Sequence, residues 1–305
     1  MNVQELTPID LRHRLRAHGL LLQIGPFSFR IKTELEDIAR GLSLLYGNYP
    51  VLDDSVFIDY SVELVGGSGL RRWIYPQVKF RFDGEVQFAP LPPNQAFPLL
   101  EWAMNWCIST QAHQYLILHA AAIERDGYAV IMPAPPGSGK STLCAGLVHR
   151  GWRLLSDELA LISPIDLSVT PLGRPISLKN QSIEVIRQFV PEAVFNPITP
   201  DTVKGRLTHL RAPQEHLRRI DEVARPRWVI FPKYVAGSAA QLTLRSKANS
   251  MLELGRNSFN YVVLGLTGFE TLSGVIDRCD CYDFQYSQLD EAVAVFDDLV
   301  ARVPC

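Results

Sequence analysis

Nine residues, Ala134-Pro-Pro-Gly-Ser-Gly-Lys-Ser-Thr142, have the types and spacing of a phosphate grip. They fit the pattern [AG]-x4-G-K-[ST], with Ala134 in the first slot. Gly137 and Gly139 let the backbone curl until its N–H groups point inward at an anion. Lys140 brings a mobile positive charge for β and γ phosphates, and Ser141 a hydroxyl for Mg²⁺. The binding set expected of this loop is Pro136, Gly137, Ser138, Gly139, Lys140, Ser141 and Thr142. At average residue usage such a pattern arises about once in 10,000 positions.

The flanking residues supply what the loop needs. Tyr128-Ala-Val-Ile-Met132 predicts a buried strand running into it, and Leu143–Arg150 a helix leaving it, stopped at Gly151. Tyr115–Ile123 predicts the preceding strand, joined by a turn at Glu124-Arg-Asp-Gly127. If Ile123 pairs with Tyr128, His119 lies opposite Met132 and so beside the loop. After the helix, Trp152–Ser156 predicts a short strand ending in Asp157-Glu158. A right-handed crossover makes it parallel to the loop strand, which brings its end to the edge where ligands bind in open α/β sheets. A carboxylate there suits Mg²⁺, held through water, or a proton leaving a hydroxyl nucleophile.

Around this core the chain reads as mixed α/β. Thr7-Pro8 opens a helix to about Ala17, and strands Leu20–Ile24 and Phe27–Ile31 flank Gly25-Pro26. Thr33-Glu-Leu-Glu36 has the form of a capping box for a helix to about Leu45. Strands near Val56–Val65 and Trp73–Phe82, joined through Gly66-Gly67-Ser68-Gly69, precede a short one near Glu85–Phe88. The glycine stretch reads as a hairpin loop or a second phosphate grip. Ala96–Thr110, with Phe97, Leu100, Trp102 and Trp106, predicts a helix used for core packing. Pro191–Pro213 reads as a long proline-rich loop whose Lys204, Arg206 and Arg211 either face phosphates or solvate the loop. Strands are expected at Arg227–Phe231, Gln241–Arg245 and Cys279–Tyr286, with helices over 247–265 and parts of 266–277. Ser287-x-x-Asp290 looks like the cap of a last helix to about Val303.

Bulk numbers bound the class. With 305 residues and 47% hydrophobic, the chain can fill one large or two ordinary cores. Its net charge of −2 gives no drive toward nucleic acid or anionic membrane. Five cysteines, none in a C-x-x-C, fit a reduced cytoplasmic protein. Glu5, Asp10, Arg12 and Arg14 among the first residues do not read as a signal peptide, and the sequence holds no 18-residue apolar run.

His119, the Gly137-Ser-Gly-Lys-Ser141 loop and Arg150-Gly-Trp-Arg-Leu-Leu-Ser-Asp-Glu158 together resemble the core of HPr kinase/phosphorylase and its relatives. His119 stands 21 residues before Lys140, and Asp157 stands 17 after it. More narrowly, the chain is similar to the HPr kinase-related kinase A branch, through Pro175-Ile-Ser-Leu-Lys179 and Lys204-Gly-Arg-Leu-Thr-His209. The core resemblance covers about residues 115–165, the narrower one most of the chain. It implies a P-loop kinase domain over 113–305, a mixed sheet with flanking helices, preceded by a smaller α/β module over 1–112 for partner or substrate recognition. It implies transfer of the ATP γ-phosphate to a serine hydroxyl, with Asp157 as general base, His119 assisting, Lys140 on the phosphates, and Ser141 and Glu158 at Mg²⁺. The chain departs from the family at Glu158, where a second aspartate is usual, and at Thr142, where glutamate is usual. It also lacks the family's C-terminal signature for phosphorolysis and HPr docking. The expected acceptor is therefore another protein or peptide, with a small peptide-binding chaperone system among the partners implied and a homo-oligomer as a possible assembly. The residues alone leave open a small-molecule hydroxyl kinase and a nucleotide-dependent ATPase switch.

Overall fold

The computed structural model describes residues 1–67 and 74–302, which fold into three sheets with flanking helices. Ser68, Gly69, Trp73, Val303 and Cys305 lie outside the described residues, and with them the phosphate-grip question at Gly66–Gly69.

The described residues among the first 111 form a five-stranded sheet with three α-helices. Thr7 caps α1 (Pro8–Arg16): its hydroxyl oxygen accepts from Asp10 N–H. Strands β1 (Leu20–Ile24) and β2 (Phe27–Thr33) make the expected hairpin. The Thr33 capping box does not form. Thr33 ends β2, and its Oγ1 donates to Leu64 O, while α2 (Glu36–Leu45) starts with no side-chain cap. The Thr33 oxygen accepts from Leu35 N–H (3.1 Å), two residues on instead of three, so it does not reach the first turn of α2. β3 (Tyr60–Gly66) runs parallel to β2, with β4 (Val78–Phe82) and β5 (Glu85–Val86) beyond it. Helix α3 (Ala96–Gln111) buries Leu100, Met104 and Ile108 in the same core as Phe29 and Leu42. That core also takes in Ile117, Leu159 and Leu161 from the large sheet.

The large sheet has eight strands. β6 (Leu116–Arg125) and β7 (Tyr128–Pro133) form a hairpin around Asp126-Gly127, both at positive φ (54° and 82°), as a two-residue primed turn needs. Arg125 therefore pairs with Tyr128, and Ala121, not His119, faces Met132. The register moves by two because the turn is tighter than expected, so His119 keeps its face but passes the end of that ladder. It pairs instead with Leu159 on the other side of β6.

Helix α4 (Lys140–Val148) leads to β8 (Arg153–Ser156), and β9 (Leu159–Ile162) follows almost at once. Both run antiparallel to β6, so β8 points the same way as β7 but lies one strand away. Asp157-Glu158 is thus not a strand end. It interrupts one continuous strand, because Ala122↔Ser156 and His119↔Leu159 keep the same register across it. Ser156 Oγ accepts from Leu159 N–H and stitches the gap.

β10 (Val169–Thr170) pairs β9. A separate three-stranded sheet follows, with β11 (Ile176–Lys179), helix α5 (Gln181–Phe189), then β12 (Thr199–Thr202) and β13 (Gly205–Leu210). The presumed long loop is therefore largely a hairpin. After α6 (Gln214–Arg218), β14 (Arg225–Tyr234) lies parallel to β7. β15 (Gln241–Leu244), helices α7 (Lys247–Arg256), α8 (Tyr261–Leu264) and α9 (Leu266–Arg278), and β16 (Asp280–Tyr286) complete the sheet. The last helix, α10 (Leu289–Ala301), also lacks its expected cap, since Ser287 Oγ donates to Ser238 O instead.

Odd residues of β6 face α3 and α4, with Ile117 in the first core and Ala121 and Ile123 in the core beneath α4, α5 and α10. Even residues face α7 and α9. No helix of the described residues is long and apolar enough to cross a membrane.

Candidate active site

The 134–139 loop follows β7 and ends as the N-terminus of α4. Gly137 (φ 85°) and Gly139 (φ 88°) both occupy the left-handed region. Nothing crowds Gly137, whereas a Cβ on Gly139 would meet Tyr286 Oη at 2.5 Å. That contact is a brace. Tyr286 O–H donates to Gly139 O (2.9 Å), and Tyr234 N–H donates to Ser138 O (2.8 Å). The ends of β14 and β16 thus hold the loop from one side.

Lys140 is buried, and its Nζ has no hydrogen-bond partner among the described residues. Burial pushes its pKa down, and the charges of Asp157 and Glu158 pull it back up. Ser138 Oγ is buried without a partner as well. Unpaired buried donors cost stability unless a ligand or water meets them, so these two point to an anion in the loop.

Across β6, Asp157 Oδ2 accepts from Ser141 Oγ–H (3.2 Å) and from Ser177 N–H (3.1 Å). Its Oδ1 is buried and unpaired among the described residues. Burial raises Asp157 to about 6. Lys140 pulls it down, Glu158 pushes it up, and the two hydrogen bonds favour the anion. Glu158 accepts from Asn105 Nδ2 (2.5 Å) on α3. Neighbours on an unbroken strand point to opposite faces. The interruption instead lets Asp157 reach α4 and Glu158 reach α3, which share a face. Burial alone would raise Glu158, but Lys179, Lys204, Lys140 and Arg174 outweigh it and hold its pKa below the usual value.

His119 sits at the rim. Its backbone N–H donates to Asn257 O (2.6 Å), and its ring packs on Phe259. Burial lowers it to about 4, with Lys140, Lys179 and Lys204 pushing the same way and Glu158 opposing, so the imidazole is neutral at pH 7. Among the described residues no hydrogen bond joins it to Asp157. Of the residues named from sequence, the fold joins Ser141 directly to Asp157 and couples Lys140 to both acids by charge. Pro136 is exposed at the loop's outer face and Thr142 is half-buried. Among the described residues no group of three or more His, Cys, Asp or Glu is gathered for a metal.

Sequence reasoning missed the far wall. A cleft beside the two acids is lined by Glu101, Trp102 and Asn105 of α3, and by Arg174, Ser177 and His209. Trp102, read as core packing, is half-buried there, and Lys204 Nζ lies 5.3 Å from its ring centre. Arg174 is buried and bonds Glu101 (2.5 Å) and Asn105. Tyr46 O–H donates to the other Glu101 oxygen (2.7 Å). A chain of polar contacts therefore runs from α2 through Arg174 and Asn105 to Glu158. Of the three cations of 191–213, Lys204 faces the site, Arg206 pairs with Glu184 (2.9 Å), and Arg211 lines a groove by α1 and α2. No local signal marks α3 as a wall of the site, although the polar Asn105 within an apolar helix was a clue.

The family model of SynChlorMet cassette protein ScmC matches residues 98–168. That stretch runs from α3 past β9 and holds Asn105, His119, the glycine loop and both acids. No curated protein matches the chain.

Proposed function

We propose that the chain is an ATP-dependent phosphotransferase with an HPr kinase-type P-loop core, passing the γ-phosphoryl group to a serine hydroxyl of a protein or peptide in the cytoplasm. One observation carries this reading. A buried ammonium without a hydrogen-bond partner among the described residues, Lys140 Nζ, closes a two-glycine turn, and its neighbour Ser141 is bonded to a buried carboxylate whose second oxygen is unpaired among them. The residues fit the groups such a reaction needs. The loop N–H groups, Ser138 and Lys140 would hold the polyphosphate, and Ser141, with Glu158 from the far side of Asp157, would hold Mg²⁺. When bound, these would bring the transferable phosphoryl group and neutralise its charge.

The chain's own part is positioning and proton removal. Asp157 Oδ1 is free to accept a hydroxyl proton while Oδ2 is fixed by Ser141 and Ser177. A carboxyl poised near 6 is a stronger base than an ordinary aspartate and is still ionised at pH 7. Neutral His119 serves as a hydrogen-bonding group, not as a fixed cation. Residues 113–305 supply the loop and acids. Residues 1–112 act in recognition and also contribute α3, whose Asn105 orients Glu158.

The test is incubation of the purified chain with γ-labelled ATP and Mg²⁺ in a lysate of its own organism. A labelled protein or peptide, lost with Lys140→Ala and with Asp157→Asn, is the expected result. Label in small molecules alone would replace the acceptor class, and phosphate release without any labelled acceptor would point to an ATPase switch. Transfer by Asp157→Asn at the wild-type rate would remove Asp157 as the base.

A further inference from the structure

The loop and Asp157 account for one side of the cleft. The other side carries groups that the proposed phosphoryl donor does not need. Arg174, Pro175 and Ser177 line it. Ser177 is 7% exposed, and its N–H is committed to Asp157, but its Oγ has no partner among the described residues. Strand alternation puts Lys179 on the same side of β11 as Ser177, and the β11–β13 register sets His209, another wall residue, opposite Ser177.

The β12–β13 hairpin delivers a second lysine to this wall. Its turn is pinned from within, where Thr202 Oγ1 donates to Gly205 O (2.6 Å) and accepts from Lys204 N–H (3.1 Å). It is also pinned against β11. Asn180 N–H donates to Arg206 O (2.9 Å), and Asn180 Oδ1 accepts from Arg206 N–H (3.1 Å). The backbone approach is close enough that a Cβ on Gly205 would lie 2.3 Å from Asn180 Oδ1. The turn thus fixes the backbone that carries Lys204, whose Nζ lies over Trp102. Burial and the charge of Lys179 both lower the Lys204 pKa.

The charges in this space do not balance. Arg174 is matched by Glu101, and Lys140 faces Asp157. Among the described residues Lys179 and Lys204 make no ion pair, and the acid whose pKa their charges lower is Glu158, which Lys140 and Arg174 influence as well. Two cations, one carboxylate and an unpaired buried hydroxyl form a site short of one anion.

We propose that Ser177, Lys179 and Lys204 form an anion subsite that holds a phosphate or carboxylate carried by the acceptor next to its reactive hydroxyl. The word acceptor rests on the phosphotransfer reading, whereas the subsite itself does not. The acceptor is then an acidic serine peptide or a phosphorylated small alcohol.

The deciding experiment separates the subsite from the loop. Inorganic phosphate is titrated calorimetrically into Lys140→Ala, whose loop has lost its cation, and into the same chain also carrying Lys179→Gln and Lys204→Gln. Saturable binding to the first, weakened at least tenfold in the second with the melting temperature unchanged, is expected. No binding to Lys140→Ala, or equal binding to both, overturns the subsite. In the otherwise wild-type chain, Lys204→Gln is expected to leave the Kd for ATP within twofold. A tenfold weaker Kd assigns the lysine to the nucleotide and overturns the proposal. Serine peptides flanked by glutamate, the same peptides flanked by glutamine, and glycerol phosphate distinguish the acceptor's source. A KM advantage for either anionic probe that Lys204→Gln abolishes supports the proposal, and an advantage for the glutamine peptide overturns it. If no probe is phosphorylated yet phosphate binding behaves as expected, the phosphotransfer reading falls and the anion subsite stands.

Discussion

Replacing Asp157 with asparagine should stabilise the ligand-free chain while abolishing transfer. Asp157 is 5% exposed and titrates near 6 in the fold, against about 3.9 for an unfolded aspartate. Between those values the folded chain holds the proton and the unfolded chain releases it. Stability from this group is therefore complete below pH ~4, falls as pH rises through 6, and is flat above pH ~7. The full cost of ionising the folded carboxyl is about 3 kcal/mol, with little solvent screening to reduce it. The net rise already includes the attraction of Lys140, so the neutral amide should escape this cost. Urea unfolding of both proteins at pH 4.5, 6, 7 and 8, with a chelator present, reads it directly. The stability gap should be about 1 kcal/mol at pH 4.5 and grow to about 3 kcal/mol by pH 7 to 8, while groups common to both chains cancel. A gap that does not change with pH, or an amide variant less stable at pH 8, would refute the assignment of a strained carboxylate. The fold would then carry no cost at the residue assigned to the chemistry.

Three further outcomes follow from the same contacts. Gly139→Ala must take a left-handed φ and push Tyr286 Oη from a contact of 2.5 Å, costing about 2 kcal/mol in unfolding free energy and weakening nucleotide binding in calorimetry. Tyr286→Phe removes only the hydroxyl, and should cost about 1 kcal/mol and loosen the loop, read as faster amide exchange at Gly139 and Lys140. Glu124→Gln leaves the buried Arg153 guanidinium without its charge partner and should cost 3–5 kcal/mol, roughly, by denaturant unfolding, with the site geometry far less affected.

What was legible in the sequence was chiefly local. The glycine loop, its strand and helix, the Thr7 cap and the Gly25-Pro26 hairpin all depend on residues close together in the chain. The errors arose where a distant partner outbid a local one. Thr33 and Ser287 both head capping-box patterns, but each hydroxyl is oriented by a distant carbonyl, Leu64 O and Ser238 O, and the Thr33 oxygen then accepts from Leu35 N–H and not from the helix. The β6–β7 register was misplaced by two because the tight turn takes only Asp126 and Gly127. Asp157-Glu158 looked like a strand end since a two-residue break cannot be told from a stop without seeing β9 resume in register. The proline-rich character of 191–213 hid a hairpin, and nothing local ties Lys204 to Trp102 or Tyr286 to Gly139. Half of the cleft comes from α3, whose apolar spacing is that of an ordinary core helix.

The brace on the glycine loop also sets an order in time. Tyr286 lies 147 residues after Gly139, on the last strand of the large sheet. A ribosome adding 5–20 residues per second needs roughly 7 to 30 seconds to cover that gap. Through that interval the nascent chain has its glycines, Lys140 and Asp157, but not the hydroxyl that holds Gly139 O, nor β16 beside β14. Until β16 inserts between β14 and β15, the loop is held only from β14, through Tyr234 N–H and Ser138 O. A chain that stalls before residue 286 carries every residue of the glycine loop without the brace that holds it, so if the loop takes a nucleotide as proposed, firm capture waits for the closing moments of synthesis.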